Sequence, residues 1–288
     1  MYQNRLYIIE NKTSLHVGSG NENFGIIDKE IQRDAITKYP TIHSSSLKGA
    51  LREYITHKMQ NPIKRDKDKD KKYTEEEQAR YNKVAHIFGD DEQSGKIRFI
   101  DAHLLSIPFR SDLNPYYHCI SPKSISELLD FADTFSINLE NRDILESIAS
   151  YKGKEILVKD STPTIEDETA KSSSEYDFTV LEEFLGAPLA LVPNTIYDEL
   201  LKNLPVIARN QLKNGESKNL FYEEVLPRKS KFFTVISEPN YLNSADKSKL
   251  ENVFNDFSSY LTDNDTIHIG ANASIGYGVC TFKEIGNA

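Results

Sequence analysis

The sequence lacks tryptophan and has only two methionines and two cysteines among its 288 residues. Cys119 and Cys280 form no CxxC pair, and no Cys/His spacing suits a structural zinc site. Two reduced thiols are the expectation for such a pair in a cytoplasmic protein. Long apolar runs are also missing, so no segment reaches the roughly 20 residues of a membrane-spanning helix. The N-terminal stretch holds one short apolar run, Leu6 to Ile9, without the basic start of a signal peptide. A soluble, cytoplasmic chain is expected. Basic charge is in short supply as well: 35 Lys and Arg stand against 44 Asp and Glu, a net charge of −9. Free-standing nucleic-acid binders are usually basic, because phosphate neutralisation supplies most of their non-specific affinity. The balance counts against a simple RNA-binding module but allows a local basic groove within a larger assembly.

Fifteen tyrosines and 14 phenylalanines offset a lean apolar fraction of 38%, since aromatics bury much area per residue. A sizeable core is therefore expected. The run RLYII (residues 5–9) reads as a first strand, and a helix is placed from about Ser46 to Met59, with Ser44, Ser45 and Ser46 as candidate caps. Residues 61–80 are a mixed-charge run, read as a flexible insertion. A strand is expected over 97–105, then a helix SISELLDFADTF capped by Ser124 or Ser126, and a short strand in KEILVKD. Residues 161–178 read as a polar loop. A helix follows from Asn194, and residues 206–236 read as strand, Asn214-Gly215 turn, strand and a further strand. The last segments are an amphipathic helix in KSKLENVFNDFSSYL and a strand–glycine loop–strand close. Strands and helices alternate without a parallel βαβ rhythm, which points to α+β.

Four segments carry chemical signal. In HVGSGNENFGIIDKEIQRD (residues 16–34), Gly18, Ser19 and Gly20 permit close backbone approach to a ligand, and Asp28 follows. In SSSLKGALRE (44–53), Ser45 and Ser46 sit at a helix N-terminus, a natural phosphate site, with Lys48 and Arg52 one turn apart; an ordinary capped amphipathic helix explains the same pattern. The hairpin from Arg209 to Arg228 interleaves cations with Phe221 and Tyr222, which suits splayed single-stranded RNA but equally a solvated hairpin. In GANASIGYG (270–278), Gly270, Gly276 and Gly278 lie between two strands, so the strand–loop–helix context of a dinucleotide site is missing.

In order along the chain, HVGSG, the aspartate of GIIDKE, IQRD, SSLKGALRE, IFGD, DAHLLSIPFRS, NLFYEEVLP and the terminal GYG resemble the RAMP superfamily. The resemblance runs from about residue 5 to 280 and is strongest to the backbone subunits of type III-B CRISPR (Cmr) effector complexes. It implies one domain over residues 1–288, with a modified ferredoxin-like (RRM-like) α+β fold and a thumb hairpin over 207–230. It also implies partners: a guide RNA, a target RNA, further copies in a filament and other effector subunits. The position matching the family's cleaving aspartate is Asp28. Lys48 and Arg52 match guide-phosphate contacts, and the thumb turns out one nucleotide at regular intervals. Two departures are His43-Ser44 where the family has Pro-Gly, and Phe221 where it often has Trp.

Cleavage would use the RNA's own 2′-OH, giving a 2′,3′-cyclic phosphate and a 5′-OH. Asp28 would act as general base or hold a weakly bound Mg²⁺ or other divalent metal. His16 is a candidate proton donor or a structural hydrogen-bonding group. Glu223 and Glu224 are candidate second acids, weighed against being ordinary surface acids. A non-catalytic guide-binding scaffold and a guide-processing endoribonuclease are the competing readings.

Overall fold

The computed structural model describes residues 2–20, 27–60, 74–239, 253–263 and 265–286. In chain order the strands are β1 Tyr2–Asn11, β2 Thr41–Ile42, β3 Arg98–Phe99, β4 Ala102–Phe109, β5 Tyr117–Ile120, β6 Ile156–Val158, β7 Thr164–Ile165, β8 Glu168–Ser172, β9 Leu189–Leu191, β10 Val206–Lys213, β11 Glu216–Glu224, β12 Lys231–Pro239, β13 Ile267–His268 and β14 Val279–Ile285. The helices are α1 Ser44–Lys58, α2 Glu75–Phe88, α3 Pro122–Thr134, α4 Arg142–Ala149, α5 Phe178–Leu185, α6 Asn194–Leu200 and α7 Val253–Thr262.

β1 dictates the layering. Successive side chains of a strand point to opposite faces. Tyr7 and Ile9 enter one core with Leu47, Leu51 and Ile55 of α1 and Phe254, Phe257 and Leu261 of α7. Leu6 and Ile8 enter a second core, with Leu128 of α3, Ile148 of α4 and Leu181 of α5. Both faces of the sheet are therefore covered, which is why β1 reads as a continuous apolar run and not as an alternating one. In α1 the buried residues recur every four positions, the spacing of one helical face.

The central strands lie in the order β14-β1-β12-β4, and all three pairings are antiparallel. Taken with α1 and α7 packed on one face, the chain order β1-α1-β4-β12-α7-β14 is the ferredoxin-like βαββαβ pattern. Residues 110–230 are inserted between its second and third strands. Part of the insertion extends the sheet through β5, β9, β6, β8 and β7; the remainder includes a separate two-stranded hairpin, β10-β11. At the hairpin's tip Asn214 and Gly215 have φ of 54° and 85°, the two left-handed residues of a type I′ turn.

Several local expectations are corrected. α1 begins at Ser44 and is capped by His43, which makes no side-chain cap bond; the Ser44 N–H is instead taken by Asp101 Oδ1 at 2.7 Å. α3 is capped by Ser121, with Ser124 completing a capping box. The polar stretch 161–178 contains the hairpin β7-β8, because Ile165 and Ala170 find buried places. Of the charged insertion, residues 61–73 lie outside the described residues. Residues 75–80 open α2, where Thr74 and Glu77 form a capping box. The final amphipathic helix is described from Val253 onward.

Candidate functional site

The two arms of the first glycine loop lie side by side. Ser19 N–H donates to Glu30 O at 3.0 Å and Gln32 N–H to Val17 O at 2.8 Å. The second arm, residues 27–31, then runs beside the root of the thumb. Asp28 and Lys29 N–H both donate to Tyr222 O at 3.1 Å, and Glu224 N–H donates to Lys29 O at 2.9 Å. The Tyr222 N–H returns a bond to Asp28 Oδ2 at 2.7 Å. Asp28 is exposed, so its carboxylate is held by one oxygen at the thumb root. No partner of Oδ1 is found among the described residues. Lys29 Nζ sits 4.3 Å from the centre of the Phe221 ring, and Tyr222 and Leu220 remain 39% and 55% exposed on the hairpin.

Glu223 and Glu224 are not surface acids. They are 1% and 3% exposed, and each has a fixed set of donors. Glu223 Oε2 accepts from Arg209 Nε at 3.0 Å and from Asn272 Nδ2 at 2.8 Å. Glu224 accepts from Arg33 Nη2 at 2.5 Å and from the Ile31 N–H at 3.2 Å. Buried carboxylates persist when paired and hydrogen-bonded in this way. His16 is buried too. Its Nδ1 lies 2.7 Å from Glu224 O; a carbonyl only accepts, so Nδ1 carries the proton. Its Nε2 faces Glu223 Oε1 at 3.7 Å. These contacts fix the thumb root from within and keep His16, Glu223 and Glu224 off the surface that Asp28 faces.

The C-terminal glycine loop closes over the same root. Ala271 N–H donates to His16 O at 2.9 Å, and the Arg209 guanidinium stacks 4.6 Å from the Tyr277 ring centre. Gly270 and Gly278 have positive φ, and a Cβ there would lie 2.4 Å from His16 O and 2.0 Å from Ile269 O. Their requirement is close backbone packing within the protein. Gly20 and Gly276 also have positive φ but face open space. Gly18 is bridged to Ile31.

The helix N-terminus read as a phosphate site already holds an anion, Asp101. Partial burial works to raise its carboxyl pKa, but the Ser44 N–H and hydroxyl, and then His43, hold it below the ordinary value. Ser46 accepts from Gln32 Nε2 at 3.0 Å, while Ser45 is exposed. Arg52 Nη2 donates to the C-terminal carbonyls of α2, Phe88 O at 2.7 Å and Gly89 O at 3.0 Å, so part of its donor set is used inside the protein. Lys48 is half-buried.

Sequence reasoning missed the organisers. Gln32 is buried, and its amide also reaches Gly18 O at 3.1 Å and the His43 N–H at 2.8 Å, tying the glycine loop to the start of α1. Arg33, Asp101 and Asn272 are equally specific. Gln32 and Arg33 lie in the quoted IQRD string, yet nothing in the string says that they turn inward. Among the described residues no three His, Cys, Asp or Glu side chains gather as a ready-made metal cage. A lone exposed carboxylate with a second oxygen to spare suits Mg²⁺, which keeps much of its water and takes only one or two carboxylates.

A curated relative, the CRISPR system Cmr endoribonuclease Cmr4 of Pyrococcus furiosus, is 25% identical over 307 aligned positions, covering 96% of this chain and 94% of the relative. One chain of the type III-B Cmr-beta complex bound to cognate target RNA shares the fold with a TM-score of 0.74, at 20% identity over 98% of this chain and 97% of that one. Oligomeric Cmr4 from Pyrococcus furiosus gives a TM-score of 0.67 at 21% identity, covering 98% of each chain. The model of the RAMP superfamily matches residues 8–281, nearly the whole length, and the chain belongs to that superfamily.

Proposed function

We propose that this chain is a guide-RNA-binding backbone subunit of a type III-B CRISPR effector complex in the cytoplasm. Within that complex it cuts target RNA complementary to the guide at regular intervals, one cut per subunit, at Asp28. The observation that carries this reading is an exposed carboxylate pinned by the Tyr222 N–H at the root of a protruding hairpin. Near full-length similarity to a curated endoribonuclease supports it. So does the presence of Leu220 and Tyr222 as exposed apolar groups on the hairpin, able to wedge between bases.

The chemistry asks little of the protein beyond geometry. The 2′-oxygen bonds to the adjacent phosphorus, the bond from phosphorus to the 5′-oxygen breaks, and the 2′-proton leaves to a base while water protonates the departing oxygen. A helical duplex keeps the 2′-OH out of line, so turning one nucleotide out is the main step. Such positioning is worth roughly 7–11 kcal/mol in the best cases. Asp28 Oδ2 is oriented by Tyr222, leaving Oδ1 to accept the 2′-proton. A divalent cation such as Mg²⁺, held by Asp28 with RNA oxygens and water, would supply charge neutralisation at the phosphate.

The test uses the assembled complex and a matching labelled RNA, with and without EDTA. Wild type should give evenly spaced products that disappear with EDTA. Asp28→Ala should abolish them while assembly and target binding persist. Retained cleavage by Asp28→Ala would reassign the chain as a structural backbone subunit; cleavage unaffected by EDTA would remove the metal.

A further inference from the structure

We propose that Asn272, on the C-terminal glycine loop, is a positioning residue for Asp28, acting through the buried root of the thumb. The inference rests on the reading of Asp28 given above. Asn272 is far from Asp28 in sequence and belongs to a different element, yet a continuous chain of bonds joins them. Asn272 Nδ2 donates to Glu223 Oε2 at 2.8 Å. Glu223 is the neighbour of Tyr222, whose N–H holds Asp28 Oδ2 at 2.7 Å. The backbone on both sides of that contact is locked, through Lys29 and Glu224.

Two further groups face Glu223: His16 from the body, with Nε2 3.7 Å from Oε1, and Arg209 from the thumb. Arg209 reaches the same oxygen as Asn272, Oε2, at 3.0 Å. It comes from β10, directly across the hairpin, where its partner in register is Phe221. Arg209 is therefore carried by the thumb, with its guanidinium resting on Tyr277 of the closing loop. Asn272 is carried by the body: its loop is anchored there, with Ala271 bonded to His16 O and Gly278 bonded to Ser14 O. Asn272 is thus a fixed donor that sets where Glu223, and with it Tyr222 and Asp28, stands relative to the body. Its backbone is left-handed, at φ 68°, a conformation asparagine tolerates better than most residues. A donor amide at this place needs a residue type that accepts that conformation.

Two substitutions separate this role from a merely structural one. Asn272→Gly keeps the left-handed backbone and deletes the donor. Asn272→Asp keeps the shape and turns a carboxylate oxygen toward Glu223, so the pair is relieved only when it shares a proton. Single-turnover cleavage and target affinity would be measured on the assembled complex, across pH, each relative to wild type at the same pH. We expect Asn272→Gly to cut about tenfold more slowly with target affinity unchanged, the loss of one bond to a charged group. Asn272→Asp should be slower still near neutrality and recover toward wild type as pH falls. Wild-type rates in both variants, equal losses in rate and affinity, or an Asn272→Asp deficit that is flat with pH would each overturn the proposal. Asp28→Ala run alongside distinguishes the two levels: if it still cuts, the reading of Asp28 fails; if it is dead while both Asn272 variants cut normally, only the coupling fails.

Discussion

Asp28 and Glu223 flank the same backbone pairing, yet one faces solvent and the other is sealed inside. The difference is which donors reach them: one backbone N–H for Asp28, a guanidinium and an amide for Glu223. A buried carboxylate with those ligands is an anchor, and an exposed one with a spare oxygen is available for chemistry. Similar reasoning applies to a pair elsewhere in the molecule. His118 is buried on β5 beside Lys231, which donates to Leu185 O at the end of α5. Burial, then the Lys231 charge, pushes His118 down to about 4, while burial pushes Lys231 down to about 8. For His118 the unfolded chain takes up a proton below about pH 6.5 that the folded chain refuses until about pH 4. Stability should therefore fall as pH drops through that window. Denaturant melts at about pH 7 and about pH 5 should differ by on the order of 2 kcal/mol, and His118→Phe should flatten the difference. An unchanged slope in that variant would show that His118 is not the group responsible.

The elements around the site meet at glycines. The closing loop runs so near to β13 and to His16 that side chains are excluded at Gly270 and Gly278. Gly278→Ala should lower global stability by about 2 kcal/mol or more, combining a left-handed backbone with a clash against a carbonyl. Gly276→Ala meets only open space, so its cost is the backbone preference alone. Thermal melts of the two variants check the ranking; equal melting points would mean that the close approach at Gly278 relaxes without cost. The thumb behaves differently. Its ladder from Val206 to Glu224 is a two-stranded ribbon whose outer residues are exposed, and isolated ribbons are marginal in water. What stabilises it is its root, where β11 pairs with residues 28–29 and Glu223 and Glu224 are bonded inward.

At the scale of the whole molecule, the proposed function requires an acidic chain of net charge −9 to meet RNA through local surfaces and through repetition. If each copy brings one Asp28 and one thumb to the target, cuts are independent events set at one spacing. Complexes assembled from mixtures of wild-type and Asp28→Ala chains should then lose product bands in proportion to the variant fraction, with band spacing unchanged. Collapse of all cuts at a small variant fraction, or a changed interval, would contradict one independent cut per subunit. The fold supports such repetition: a ferredoxin-like sheet covered on both faces keeps its core out of any contact between copies, and the thumb projects as a separate unit.

The order of amino acids alone was enough for the α+β class, the first strand, a helix at the serines, the Asn214-Gly215 hairpin and the closing strand–loop–strand, because apolar periodicity and turn chemistry are local properties. It also singled out Asp28, through the ordered motifs of the RAMP superfamily. It did not show that Thr164 to Ser172 pair into strands, that Asp101 occupies the start of α1, or that Glu223 and Glu224 turn inward. Those outcomes depend on which segments meet after the chain has folded. A carboxylate's burial is decided by donors that arrive from residues 33, 209 and 272, and only the tertiary structure brings them together.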